Sequence, residues 1–245
     1  LPTPNGIVAL QRKFFGLIGM SGAIVLIEPS PYELVMIMAF IVMIATGLRL
    51  ARPLLVPVAL LVGINIGYSI GAIPVLEKPE VIYWILTSWY MGVASPFFAM
   101  SMIEDTKGRL EALSRGYLLG ALIASIAGIA GYFNLIPGAY DLLTLAGRAK
   151  GTFKDPNVLG AFLIYPAAFC IQRIINSSFW PAVRYACALL IICLAIFLAF
   201  SRAAWARLVG AILLTVGLMY ITAATHRDRI RIVMLASLSA LLGII

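Results

Sequence analysis

The sequence predicts an all-α membrane protein, a single polytopic helical bundle over residues 1–245 with about nine membrane-spanning segments. Three observations carry this. Of 245 residues, 62% are hydrophobic and 11% charged, where a soluble domain is about a quarter charged; the mean hydropathy is +1.04. Apolar runs recur at the roughly 20 residues a helix needs to cross about 30 Å of hydrocarbon. These runs are apolar all round, which excludes the roughly ten-residue alternating strands of a membrane β-barrel. No stretch is long and polar enough to form a separate soluble domain.

The segments follow in order. The first, near Phe14–Ile27, is short and follows Arg12 and Lys13. A charged head before a short apolar run also describes a signal peptide. No small-residue cleavage site stands out, and Glu28-Pro29-Ser30-Pro31 reads as a tight turn. The next three lie near Tyr32–Leu48, Leu54–Ile73 and Val81–Met102, and the fifth near Gly116–Ile136. After a polar stretch come Val158–Ile175, Tyr185–Phe200, Ala203–Thr222 and Ile232–Ile245. Gly63, Gly67 and Gly71 in the third segment, and Gly116, Gly120, Ala124 and Gly128 in the fifth, form small-residue ribbons that let helices approach closely. Asn65 is polar within a span and should hydrogen-bond a neighbouring helix. Pro96 and Pro166 fall inside spans and should kink them.

Cysteine usage points to packing. Cys170, Cys187 and Cys193 all lie within predicted helices. Cys187 and Cys193 are separated by roughly 9 Å of helical rise, beyond disulfide reach. No Cys/His cluster has metal-ligand spacing.

The cations set an orientation. Alternate loops hold twelve Lys and Arg in one set and six in the other. The positive-inside rule places the richer set, with the N-terminus and the Arg227–Arg231 loop, in the cytoplasm. The net charge of +8 then reflects orientation, not nucleic-acid binding. Five of the six outer cations are concentrated: Arg148, Lys150 and Lys154 in the Asn134–Asn157 loop, and Arg202 and Arg207 at the turn after Phe200. Cations there oppose the topological preference, so an anion is expected between these elements; snorkelling to lipid phosphates is the plainer alternative.

Two motifs frame that place. In Gly151-Thr152-Phe153-Lys154-Asp155-Pro156-Asn157, Asp155 is an expected N-cap and Pro156 suits the first helical turn. The helix would present its positive dipole end and free N–H groups outward, where Asn157 also lies. In Ser201-Arg202-Ala203-Ala204-Trp205, Ser201 is a second expected cap. Arg202 can offer a bidentate fork to a diphosphate, and Trp205 suits the membrane interface.

These two motifs, about forty residues apart and in this order, resemble the O-antigen ligase and O-antigen polymerase superfamily of bacterial inner-membrane proteins. The resemblance covers Arg148 to about Thr222; the first half matches only as a stack of helices. It implies an inverting, metal-independent glycosyltransferase without a cofactor, multi-pass in the inner membrane and active at its periplasmic face. The donor would be a glycan on undecaprenyl diphosphate, and the acceptor lipid A–core or a growing glycan, with membrane lipids around and no nucleic acid. Arg202 would be catalytic. Arg148, Lys150, Lys154, Arg202 and Arg207 would bind the diphosphate, and Asp155, Pro156 and Asn157 would form the helix start. Fixed cations suit a metal-free reaction that leaves charge on a diphosphate.

One feature departs from the family, whose members carry a late periplasmic loop with a His and further Arg. The sole His here is His226, in an expected cytoplasmic loop. The polypeptide is therefore expected to continue past Ile245 into that loop, which would supply the base. A transporter or lipid-linked-oligosaccharide flippase is the alternative. It would call for related halves and midplane charges, whereas here no internal repeat is found and the charges cluster at helix ends. A non-catalytic scaffold would not require the outer cations.

Overall fold

The computed structural model describes residues 4–226, 229, 230, 232–234 and 237. Among the described residues the α-helices with assigned bounds run in order: α1 Pro4–Ser21, α2 Pro31–Ala45, α3 Leu55–Gly71, α4 Pro79–Glu104, α5 Thr106–Tyr132, α6 Ala139–Leu143, α7 Pro156–Asn176, α8 Phe179–Leu198 and α9 Arg202–Thr222. A two-stranded hairpin, β1 Thr144–Leu145 and β2 Arg148–Ala149, sits between α6 and α7. The chain is predominantly helical, as the composition requires.

Among the described residues six helical stretches are long and apolar enough to cross a membrane: Arg52–Gly71, Pro79–Glu104, Thr106–Tyr132, Pro156–Asn176, Phe179–Leu198 and Arg202–Thr222. The two N-terminal segments do not reach that standard. The first apolar run is only the second half of α1, which carries Gln11, Arg12 and Lys13 in its middle; α2 has 15 residues. The ninth segment, Ile232–Ile245, lies mostly outside the described residues, as do Arg227 and Arg231.

The chain divides into two compact units. The first comprises Leu1–Phe15 and Met36–Glu111. Within it, α3 and α4 form an antiparallel pair joined by polar groups. Asn65, buried, accepts from Ser88 Oγ at 2.8 Å and donates to the Leu61 carbonyl at 2.8 Å. Trp89 Nε1 donates to Ser69 Oγ at 3.0 Å. Asn65 thus makes the interhelical bond expected of it. The Gly63, Gly67 and Gly71 ribbon does not pack: a Cβ at any of them would meet nothing within 4 Å. Asn65 lies about 160° around the helix from Gly63, so the face that binds α4 is not the glycine face. The tight approach is instead at Gly92 of α4, where a Cβ would come within 2.8 Å of Asn65 Nδ2.

The same unit holds a polar knot. Arg109 is 1% exposed. It donates to Gln11 Oε1 at 2.5 Å, to the Ser101 carbonyl and to Glu104 at 3.2 Å. Gln11 in turn donates to Thr46 Oγ1 at 2.8 Å. Asp105 interrupts the helix between α4 and α5 and accepts from Gly108 N at 3.1 Å. It also pairs with Arg12 Nε at 2.7 Å. That guanidinium hydrogen bond holds the Asp105 carboxyl below the usual carboxylate range.

The second unit comprises Gly16–Val35 and Ala112–Ile245. Its core is built on α7, whose Leu159, Leu163, Ala167 and Cys170 recur at helical spacing and are fully buried. They meet Ile192, Ala195 and Ile196 of α8 and Ala204 and Ile212 of α9. Here the expected α5 ribbon does pack. A Cβ on Gly116 would overlap the Gly16 carbonyl, and one on Gly120 would lie 2.6 Å from the Met20 carbonyl oxygen. Pro166 has no N–H for the Phe162 carbonyl four residues back. Tyr117 of α5 supplies the missing donor, its hydroxyl 3.0 Å from that oxygen.

Candidate functional site

The site lies in the second unit, where four segments meet. The hairpin comes first. Leu145 pairs with Arg148 across a two-residue turn, Ala146-Gly147, with φ of +50° and +73°. Both values are those of a type I′ turn, which suits the hairpin twist and favours Gly. The turn sends Arg148 back toward α7. The backbone then passes through Gly151, at φ +55°, with no room for a side chain: a Cβ would lie 2.5 Å from the Ala124 carbonyl oxygen. This glycine seats the motif loop directly on α5.

Phe153 is buried and packs on Phe162 of α7 with ring centroids 4.8 Å apart. Asp155 is the N-cap of α7, accepting from Asn157 N at 2.6 Å, and Pro156 is the first helical residue. The expected Asp155 cap and the first-turn Pro156 are both in place.

The second motif closes the α8–α9 turn. Phe200 takes φ +46°, a left-handed conformation at the end of α8. Ser201, buried, caps α9 by accepting from Ala204 N at 3.3 Å. Trp205 Nε1 donates to the Ile196 carbonyl at 3.1 Å and stacks on Phe197 at 5.5 Å. The indole therefore satisfies a carbonyl that the end of α8 leaves open.

Arg148 joins the two motifs. Its Nε donates to the Ala199 carbonyl at 2.9 Å, and its Nη2 donates to Asn157 Oδ1 at 2.9 Å. A cation at the C-terminal end of α8 also meets the negative end of that helix's dipole. Gly160 completes the junction: a Cβ there would lie 2.6 Å from Ala204 Cβ, so the first turns of α7 and α9 touch through these two small residues. Comparison with known proteins adds no relative. No family model, no curated protein and no solved structure matches the chain.

The remaining cations are placed unevenly. Lys150 is half-buried, and Arg202 and Arg207 are exposed. Among the described residues no side-chain hydrogen bond or ion pair engages any of these three, although the Lys150 backbone N–H donates to the Leu143 carbonyl at 3.0 Å. Arg202 opens α9 directly beside the Arg148 junction. Arg207 follows five residues later, about 140° around the helix and roughly 7.5 Å along it. The structure therefore groups Arg202 with Arg148 and the α7 start, and sets Arg207 on another face.

Lys154 is engaged by a residue outside both motifs. Its Nζ pairs with the carboxylate of Glu28 in the α1–α2 loop. That loop is fixed to the motif loop by two further bonds: Val25 N donates to the Thr152 carbonyl at 3.0 Å, and Thr152 Oγ1 donates to the Ala23 carbonyl. Glu28 and Lys154 are 126 residues apart, and no local pattern connects them. The cation-rich, acid-poor loop around Lys154 was the only available hint that a carboxylate might be recruited.

Chemically, the assembly offers two capped helix starts, a bridging guanidinium, an unpaired Arg202 and a Lys with a carboxylate counter-ion. Such a set can hold a polyanion by charge-assisted hydrogen bonds.

Proposed function

We propose that this chain is a glycosyltransferase of the O-antigen ligase and polymerase type. It acts at the periplasmic face of the bacterial inner membrane on a glycan linked to undecaprenyl diphosphate. The observation that carries the reading is the Arg148 junction. Two sequence motifs some forty residues apart come together through Arg148, Asn157 and Ala199, with Gly160 against Ala204.

In the topology that goes with this reading, the N-terminus and the Arg227–Arg231 loop are cytoplasmic and Asn134–Asn157 is periplasmic. About nine spans are counted, with α1, α2 and the Ile232–Ile245 segment added to the six long helices. In the transfer step an acceptor hydroxyl oxygen attacks the sugar C1. The bond from C1 to the diphosphate oxygen breaks, and its electron pair stays on the departing lipid diphosphate. Arg202 steadies that charge, with Lys150 and the α7 and α9 starts as further donors. The acceptor hydroxyl gives up its proton to a base as the new bond to C1 forms. Acceptors are lipid A–core for a ligase and a growing glycan for a polymerase.

Arg202→Ala tests the reading. Surface glycan in a complemented deletion strain should fall about 10²–10³-fold, the range for one preorganised charge donor. Membrane abundance should stay unchanged, because an exposed helix-end Arg contributes little to folding. Arg202→Lys should recover part of the activity, since an ammonium lacks the two-pronged contact. Wild-type glycan from a normally expressed Arg202→Ala protein would remove Arg202 from the site and leave the outer cations as lipid-phosphate anchors.

A further inference from the structure

We infer that Glu28 is the resident counter-anion of the diphosphate site: it occupies Lys154 when the site is empty and competes with the lipid diphosphate for it, which promotes product release. The inference rests on the function proposed above for this cluster, and it assigns a role to a residue outside both motifs.

Glu28 is not a chance neighbour of Lys154. The α1–α2 loop is tied to the motif loop through Val25 N to the Thr152 carbonyl and Thr152 Oγ1 to the Ala23 carbonyl. These bonds fix the chain three to five residues before Glu28. The other acid next to Lys154, Asp155, is committed to the Asn157 amide. Arg148 is committed to Ala199 and Asn157. Glu28 is therefore the one carboxylate among the described residues that neutralises a cation of the motif loop.

The pair is also exchangeable. Its side chains are 51% and 66% exposed, Lys and Glu respectively. Exposed ion pairs contribute little, so a competing anion can displace Glu28 at small cost. A diphosphate carries more charge than a carboxylate, so it wins the exchange. By competing for Lys154 throughout, Glu28 lowers the affinity for the lipid diphosphate left after transfer and so speeds its departure. A site of cations without such an internal anion would bind its product most tightly of all.

The experiment is binding of inorganic pyrophosphate to the full-length protein in detergent, by calorimetry. Variants are Glu28→Gln, Lys154→Met and the double substitution. Glu28→Gln should bind about two- to five-fold more tightly than wild type, the range for removing one exposed ion-pair competitor. Lys154→Met should bind more weakly, and Glu28→Gln should add nothing in that background. Unchanged or weaker binding by Glu28→Gln would overturn the inference. So would an equal gain with and without Lys154, which would mean diffuse repulsion and not competition for one ammonium. Glycan transfer measured in parallel separates the two readings. Coupled pyrophosphate binding without any transfer would leave Glu28 as counter-anion and remove the enzyme assignment. Transfer with no Glu28 effect would do the reverse.

Discussion

The α3–α4 pair and the α7–α9 group are both built from long apolar helices, yet they are packed by different rules. In α3 and α4 only 6% of each span is buried inside the protein; in α7 half is. The exposed pair is joined by hydrogen bonds, Asn65 to Ser88 and Trp89 to Ser69. The buried group is joined by an apolar stripe and by Gly160, which leaves room for Ala204. Lipid is as apolar as Leu, so hydrophobicity alone cannot hold two helices together in a membrane. The pair with little protein around it depends on polar bonds, and the group with much of it depends on shape. The candidate site stands on the second kind of foundation, and rigid placement of its cations follows from that.

The largest expected effect tests the shape rule. Gly116→Val should push the second half of α1 off α5, because its Cβ would overlap the Gly16 carbonyl. A loss of about 3 kcal/mol or more is expected for overpacking against rigid backbone. Thermal unfolding in detergent, or loss of membrane-inserted protein, would report it. The contrasting substitution, Gly67→Ala in α3, meets open space. It should be neutral or stabilise by about 0.5–1 kcal/mol through helix propensity. If both variants behaved alike, the comparison would fail.

A smaller effect is expected at the polar pair. Asn65→Leu removes the bond to Ser88 and brings a bulkier group against Gly92. The hydrogen-bond part should cost about 0.6 kcal/mol, up to about 1.7. Asn65→Ala isolates that part, since it removes the bond without adding bulk. An Asn65→Ala protein as stable as wild type would mean that α3 and α4 pair by shape after all.

The smallest effect concerns Asp105 and its pH dependence. Arg12 holds this carboxyl below the usual range, so its contribution is complete above the unfolded value near 3.8. It is lost as pH falls through the lower folded value. Asp105→Asn should therefore lower the unfolding temperature slightly at neutral pH, and the gap from wild type should close in strong acid. A gap that persists there would assign the loss to the Gly108 cap and not to the ion pair.

Much of this architecture was legible in the sequence, and the failures have physical causes. Spans α3, α4, α7 and α9 were found within a few residues, because length and hydropathy report them directly. Helix α5 begins ten residues earlier than expected. Lys107, Arg109 and Arg115 look like a loop in one dimension, but Asp105 starts the helix and Arg109 is absorbed by Gln11 and Ser101. Helix α8 starts six residues early for a similar reason, its first turns being Phe179-Trp180-Pro181 and Arg184. The β-hairpin was missed because strands of two residues have no periodicity to read. At the site, both caps were visible because capping is local. The double engagement of Arg148 and the partner of Lys154 were not, since each depends on chain brought from tens of residues away.

The Tyr117 hydroxyl on the Phe162 carbonyl has a consequence for how this protein can change over generations. Pro166 creates the vacancy that Tyr117 fills, so the two residues are worth keeping only together. With Pro166 present, Tyr117→Phe strands a carbonyl inside the bundle and should be harmful. With Pro166 already replaced by Ala, the α7 ladder supplies its own donor, and the same Tyr117→Phe change should pass almost unnoticed. A lineage can therefore shed the pair safely in one order only, proline first, and relatives that retain the tyrosine without the proline are the intermediates such a path would leave behind.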